Sequence, residues 1–136
     1  MKNYIALWEE NLRKRKSFQL NGTFQIVGER KAHLGPRCEV ATIRLTVTPA
    51  EDFQVCIDQL PNLEECEREG YLDAAVFGIL DMLVLDANYP LTEIAILFTA
   101  FEIHPADSNV SAFRQAGRDA GRKILDAMRN NMFKRP

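Results

Sequence analysis

At 136 residues, 46% of them hydrophobic and 26% charged, the chain is long enough for one compact domain with its own core and too short for two. Seventeen Lys and Arg against nineteen Asp and Glu give a formal net charge of −2, which excludes a generic polycation and confines any nucleic-acid contact to a local basic surface. No run approaches the roughly 20 apolar residues of a membrane span, and Glu9 and Glu10 break the apolar start unlike a signal peptide, so a cytoplasmic protein with no membrane partner is expected.

Residues 4–13 set Tyr4, Ile5, Trp8 and Leu12 at helical spacing, so segment 1–14 is a lead-in that reads as a short amphipathic helix or an extended strand. From Phe18 to Val27 the apolar positions Phe18, Leu20, Phe24 and Ile26 are even-numbered, which predicts a strand with one buried face, with Gly22 allowing a bulge or a bend. Residues 28–37, GERKAHLGPR, mix turn formers with basic side chains and read as a positive loop. Ile43, Leu45 and Val47 then alternate with Thr42, Arg44 and Thr46 in the clearest strand of the chain. A short antiparallel strand is predicted over 53–57.

The acidic residues Glu64, Glu65, Glu67 and Glu69 read as a polar lead-in to a helix whose buried stripe is Leu72, Ala75, Val76, Ile79, Leu80 and Leu83, ended by Asn88 and Pro90. Residues 91–104 predict a strand covered on both sides, with Ile94, Ile96 and Phe98 facing one way and Leu97, Phe101 and Ile103 the other; Glu102 and His104 continue the even face. After Pro105, Asp107 or Ser108 is expected to cap a helix to about Met128, with Val110, Phe113, Gly117, Ala120, Ile124 and Met128 as its core stripe. Gly117, Ala120 and Gly121 predict close helix packing, and 130–136 is expected to fray. With no linker or repeat, 1–136 reads as a single α+β domain: a two-layer sandwich of a mostly antiparallel sheet with two helices on one face. Cys38, Cys56 and Cys66 have no CxxC spacing and read as reduced, mostly buried thiols.

Two stretches carry more than generic pattern. YPLTEIAILFTAFEIHPADSNVSAFRQA, with Tyr89, Pro90, Glu93, Ile94, Ile96, His104, Asp107, Ser108, Ala112 and Phe113, resembles the second half of domain IV of translation elongation factor G and of the tetracycline ribosomal-protection proteins. NGTF at 21–24 and TIRLTVTP at 42–49 are similar to two strands of the same domain, in the right order, so the resemblance spans about residues 10–128. It implies a sandwich with a left-handed βαβ crossover, against the usual right-handed rule. No GxxxxGK[ST] loop is present, so the resemblance is to a free-standing domain without the GTPase. The loop at 28–37 is longer than the family's and lacks its double glycine.

The resemblance makes His104 a tip residue near the decoding site and transfer RNA; without it, His104 reads as a histidine bonded to nearby backbone. It also sets Arg30, Lys31, His33 and Arg37 beside His104 as an RNA-phosphate-binding tip, against the alternative of a solvated loop. Asp107 and Ser108 read as the structural corner. Arg114, Arg118 and Arg122 form a stripe at i, i+4 and i+8, but Asp119 and Asp126 flank it, so a solvated, ion-paired face is the first reading and a secondary RNA surface the second. The RKRK run at 13–16 reads as a solubilising edge. Neither histidine sits in HExxH or beside a nucleophile elbow, and Cys38 near His33 reads as a buried thiol rather than a nucleophile.

The expectation is therefore a non-catalytic translation-related module, without cofactor or metal, binding the ribosome or structured RNA through loops 28–37 and 101–108. The alternative is a protein-interaction or self-assembly module that kept the fold, in which exposed Trp8, Met132 and Phe133 serve a homo-oligomer interface.

Overall fold

The computed structural model describes residues 2–14, 20, 22–85 and 90–133. In chain order the elements are α1 (Tyr4–Lys14), β1 (Phe24–Leu34), β2 (Arg37–Pro49), β3 (Gln54–Ile57), α2 (Leu63–Arg68), α3 (Tyr71–Leu80) continued by a π turn (Asp81–Leu85), β4 (Ile94–Ile103) and α4 (Val110–Phe133). The sheet order is β1-β2-β4-β3. β1 and β4 pair antiparallel to β2, whereas β3 runs parallel to β4. The antiparallel expectation for 53–57 is thus corrected: a four-residue strand carries no directional signal, and the connection through α2 and α3 returns the chain parallel, as a β-α-β crossover does.

The architecture is the expected two-layer α+β sandwich. α4 lies across β1 and β2, and α3 packs beside α4. Between the layers, Ile26, Ile43, Leu45, Val47, Ile96, Phe98 and Phe101 of the sheet meet Ile79, Leu83, Phe113 and Ile124 of the helices, all buried. The helices touch backbone to backbone: a Cβ on Gly78 would collide with the Arg114 carbonyl, and one on Gly117 with the Ala75 carbonyl. The small-residue expectation at Gly117, Ala120 and Gly121 is thus met, and Gly28 of β1 gives way to α4 similarly, against the Ala116 carbonyl.

β4 departs from strict alternation. Arg44 pairs with Ala100 but Leu45 with Phe98, so Thr99 is an extra residue, a β-bulge, and its hydroxyl donates to the Arg44 carbonyl at 3.2 Å. One added residue shifts the parity of the strand. Phe101 therefore joins Ile94, Ile96 and Phe98 on the buried face instead of opposing them, and Glu102 turns to the open face, where it pairs with Arg44 at 3.5 Å. β4, expected to be covered on both sides at its centre, is covered on one: Ile94, Ile96 and Phe98 are buried on the helix side, whereas Leu97 is half-buried and Thr99 exposed on the other.

Several boundaries also move. β1 begins at Phe24 with Gly22 in a bend before it; Phe18 lies outside the described residues, as do the side chains of the basic run at 13–16. Glu64, Glu65 and Glu67 belong to a helix of their own, α2, whose Cys66 is buried and which Glu69 ends as its C-cap. The end signal at Asn88 lies outside the described residues, and the described helix stops at Leu85. α4 is helical to Phe133, beyond Met128 and through most of the expected frayed tail; residues 134–136 are not described. Val110, assigned to its core stripe, is 51% exposed at the first residue of the helix.

Candidate nucleic-acid interface

Residues 28–37 are not a loop. They are the end of β1, a two-residue turn at Gly35 and Pro36, and the first residue of β2. Gly35 has a φ of +65°, the left-handed value that the first central position of a primed hairpin turn takes. β2 pairs with β4 only as far as Ala41 opposite Ile103, while its pairing with β1 runs on from Lys31 opposite Val40 to Leu34 opposite Arg37. Those four further rows project past the end of β4 as a two-stranded arm, about 14 Å long at the usual rise per residue. Polar, glycine-bearing sequence reads as loop; in an arm that leaves the core, no apolar alternation is needed to form strands.

The corner after β4 is tied to the base of this arm. The Ser108 hydroxyl accepts from the His104 amide at 2.7 Å and donates to the Val40 carbonyl at 2.6 Å. The Val40 amide in turn donates to the Asp107 carbonyl at 3.1 Å, and the amides of Asp107 and Ser108 donate to the His104 carbonyl at 3.1 and 2.9 Å. Neither Asp107 nor Ser108 caps α4. Asn109 does, its Oδ1 accepting from the Ala112 amide at 2.7 Å, because it is the residue immediately before the first helical turn. Ser108 is instead the clamp that joins β2, β4 and the approach to α4.

His104 stands exposed at this corner with Nδ1 3.3 Å from Asp107 Oδ2. On the arm, cross-strand partners share a face. Lys31 and His33 therefore lie on the open face with Val40 and Cys38, and Arg30 and Arg37 turn to the helix side with Glu39 and Leu34. Arg30 Nε is bonded to Glu39 Oε2 at 3.2 Å, and Glu39 is buried, so Arg30 chiefly neutralises Glu39. Lys31, His33 and Arg37 are exposed. The five predicted tip residues are thus brought to one end of the sheet, three of them presented to solvent on the arm, one committed to an internal pair and one, His104, shared with Asp107.

The stripe on α4 divides. Arg114 grips Asp81 with Nε to Oδ2 at 2.7 Å and a terminal nitrogen to Oδ1 at 2.9 Å, and Arg118 Nε reaches Oδ2 at 2.9 Å. The Arg114 bond, then burial opposing it, then the Arg118 bond set Asp81 below its ordinary value. Arg114 and Arg118 are structural ties from α4 to the end of α3, whereas Arg122 is exposed to solvent. Sequence reasoning missed the partner because Asp81 lies more than thirty residues away on another helix. It missed the edge of the sheet for the same reason. Asp119 Oδ2 accepts from the Glu29 amide at 2.9 Å and Lys123 Nζ donates to the Val27 carbonyl at 2.7 Å, so α4 occupies free backbone groups of the edge strand β1.

The thiols were expected mostly buried. Only Cys66 is, and burial, with Glu65 beside it, pushes its thiol up to about 11; Cys38 is half-buried and Cys56 exposed. Among the described residues, no three His, Cys, Asp or Glu side chains converge as a metal would require, and no helix is long and apolar enough to cross a membrane.

The fold and its tip define a class: a two-layer α+β sandwich with an antiparallel arm and a histidine corner at one end of the sheet. Among solved structures, the Thermus thermophilus protein ttk003000868 is similar, with a TM-score of 0.63 at 18% identity over 80% of this chain. The matched part is 16% of that protein's chain, and at this identity the likeness is one of fold. The sequence matches no family model and no curated protein.

Proposed function

We propose that the chain is a non-catalytic, translation-related module that binds ribosomal or transfer RNA through the arm and the His104 corner, in the manner of the elongation factor G domain IV that its sequence resembles. The observation that most supports this is the meeting of two segments far apart in sequence, 31–37 and 104–108, at one end of the sheet, with Ser108 locking them together. Lys31, Arg37 and His33 supply donors for phosphate oxygens, and a projecting two-stranded arm fits a groove that a flat surface does not enter. The net charge of −2 makes the contact local, with Lys31 and Arg37 as its main cations.

Cosedimentation with purified ribosomes tests this. Binding at about 50 mM salt that falls steeply by about 200 mM, and is lost in a Lys31→Ala, Arg37→Ala, His104→Ala variant, is the expected result. Each phosphate-neutralising cation removed lowers the salt slope by about 0.7 to 0.9. Wild-type protein that stays in the supernatant at the lower salt overturns the reading.

A second reading, self-assembly, has one specific observation in its favour. Tyr4, Ile5, Leu7 and Trp8 of α1 are all exposed, an apolar surface on a helix that the sandwich does not cover. Met132 and Phe133, the other proposed interface residues, have side chains outside the described residues. Light scattering after size exclusion separates the readings.

A further inference from the structure

We propose that Cys38 and His33 form a thiol–imidazole pair that takes up low-molecular-weight disulfides, making the arm a redox-modification site. The two residues are directly opposed in the β1–β2 ladder, and His33 Nδ1 lies 3.0 Å from Cys38 Sγ. Cys38 is half-buried and His33 exposed, so the sulfur is held against its partner yet open to a small reagent. Two backbone strands fix this geometry, a firmer support than a flexible loop gives.

Lys31 shares the open face two residues away on β1; of the residues flanking Cys38 on β2, Arg37 is exposed and Glu39 faces the opposite side, where Arg30 occupies it. β4 ends at the row of Ala41 and does not reach Cys38. The thiolate is the nucleophile in thiol–disulfide exchange. In the step, the thiol proton passes to His33 Nδ1 as Cys38 Sγ attacks one sulfur of the reagent. The new Sγ–S bond forms, the reagent's S–S bond breaks, and the departing thiolate takes the proton from the imidazolium. The disulfide reagent is the oxidant, and it leaves as one free thiol and one half bound to Cys38. The site does not depend on what the arm binds.

The chain carries its own controls. Cys56 is more exposed but sits opposite Leu97 on β4, away from both of the chain's histidines, and Cys66 is buried. The full-length protein is treated with 2-hydroxyethyl disulfide, a neutral reagent, at about pH 7, and each cysteine is followed by peptide mass spectrometry. Cys38 should react at least about fivefold faster than Cys56, Cys66 should stay unmodified, and His33→Gln should erase the difference while leaving the Cys56 rate unchanged. Because Cys56 is read in the same molecules, a misfolded variant would betray itself by exposing Cys66. Two results overturn the proposal: Cys38 reacting no faster than Cys56 in the wild type, or an advantage that survives His33→Gln and disappears in Lys31→Ala, which would make the rate a matter of field alone.

Discussion

Ser108 is a small residue with two obligations. Its hydroxyl takes a proton donor from the His104 amide and gives its own proton to the Val40 carbonyl, so a single oxygen joins the end of β4 to the base of the arm. Replacing it with alanine leaves an amide and a carbonyl without their partner at a half-buried corner. At roughly 1 kcal/mol for each net hydrogen bond, Ser108→Ala should lower unfolding stability by about 2 kcal/mol. Ser111→Ala, exposed in the first turn of α4, should stay within about 0.5 kcal/mol of wild type. Urea denaturation of both variants checks this, and equal midpoints would remove Ser108 from its role as clamp. The Ser108 motif was legible in the sequence as a corner, but the nature of its bond was not. Ser, Asp and Asn all cap helices, and three such residues in a row give no means of choosing Asn109 until the helix start is known.

At the scale of elements, α3 and α4 meet through glycines in the middle and through Asp81 at one end. Gly78 and Gly117 let the backbones approach, and Arg114 and Arg118 then close on a single carboxylate. The lowered Asp81 value fixes the sign of the pH dependence. A carboxylate whose folded value lies below its unfolded one of about 3.9 contributes fully above that pH, and its contribution fades as pH falls through the folded value. Asp81→Asn should therefore be less stable than wild type at about pH 7, and the gap should narrow only once the pH drops below the ordinary carboxylate range. Urea titrations of the two proteins from neutral to strongly acidic pH read that gap directly; one that is constant with pH would show that packing, and not charge, sets the difference. The helices themselves were readable from their apolar spacing, and so was β2. What periodicity did not yield was anything depending on a single residue or on a distant partner. Thr99 inverts the parity of half a strand, Gln54 to Ile57 are too few to reveal their direction, and the arm's strands have no core to impose alternation on them.

For the whole molecule the open question is what meets α1. A helix of 11 residues is marginal in water by itself and ordinarily persists by burying an apolar face. Here Tyr4 and Trp8, one turn apart, are 74% and 62% exposed, so the sandwich contributes little burial to them. Trp8 is the sole tryptophan of the chain, which makes its fluorescence a reporter of α1 alone. If the protein acts as a monomer that meets RNA with its arm, Trp8 should emit as a water-exposed indole at every protein concentration. Its emission should then hardly shift in urea, even as the far-ultraviolet circular dichroism of the sandwich is lost cooperatively, and removing residues 2–14 should leave that unfolding midpoint unchanged. If α1 is a self-assembly element, the emission should move to the blue as concentration rises, in step with the mass measured by light scattering, and the same truncation should return the protein to monomer. The arm and α1 are separate elements, so ribosome binding measured on the truncated chain tells whether the two surfaces act together. Binding that survives truncation assigns RNA to the arm, and the light-scattering mass of the full chain then decides whether α1 meets a second copy.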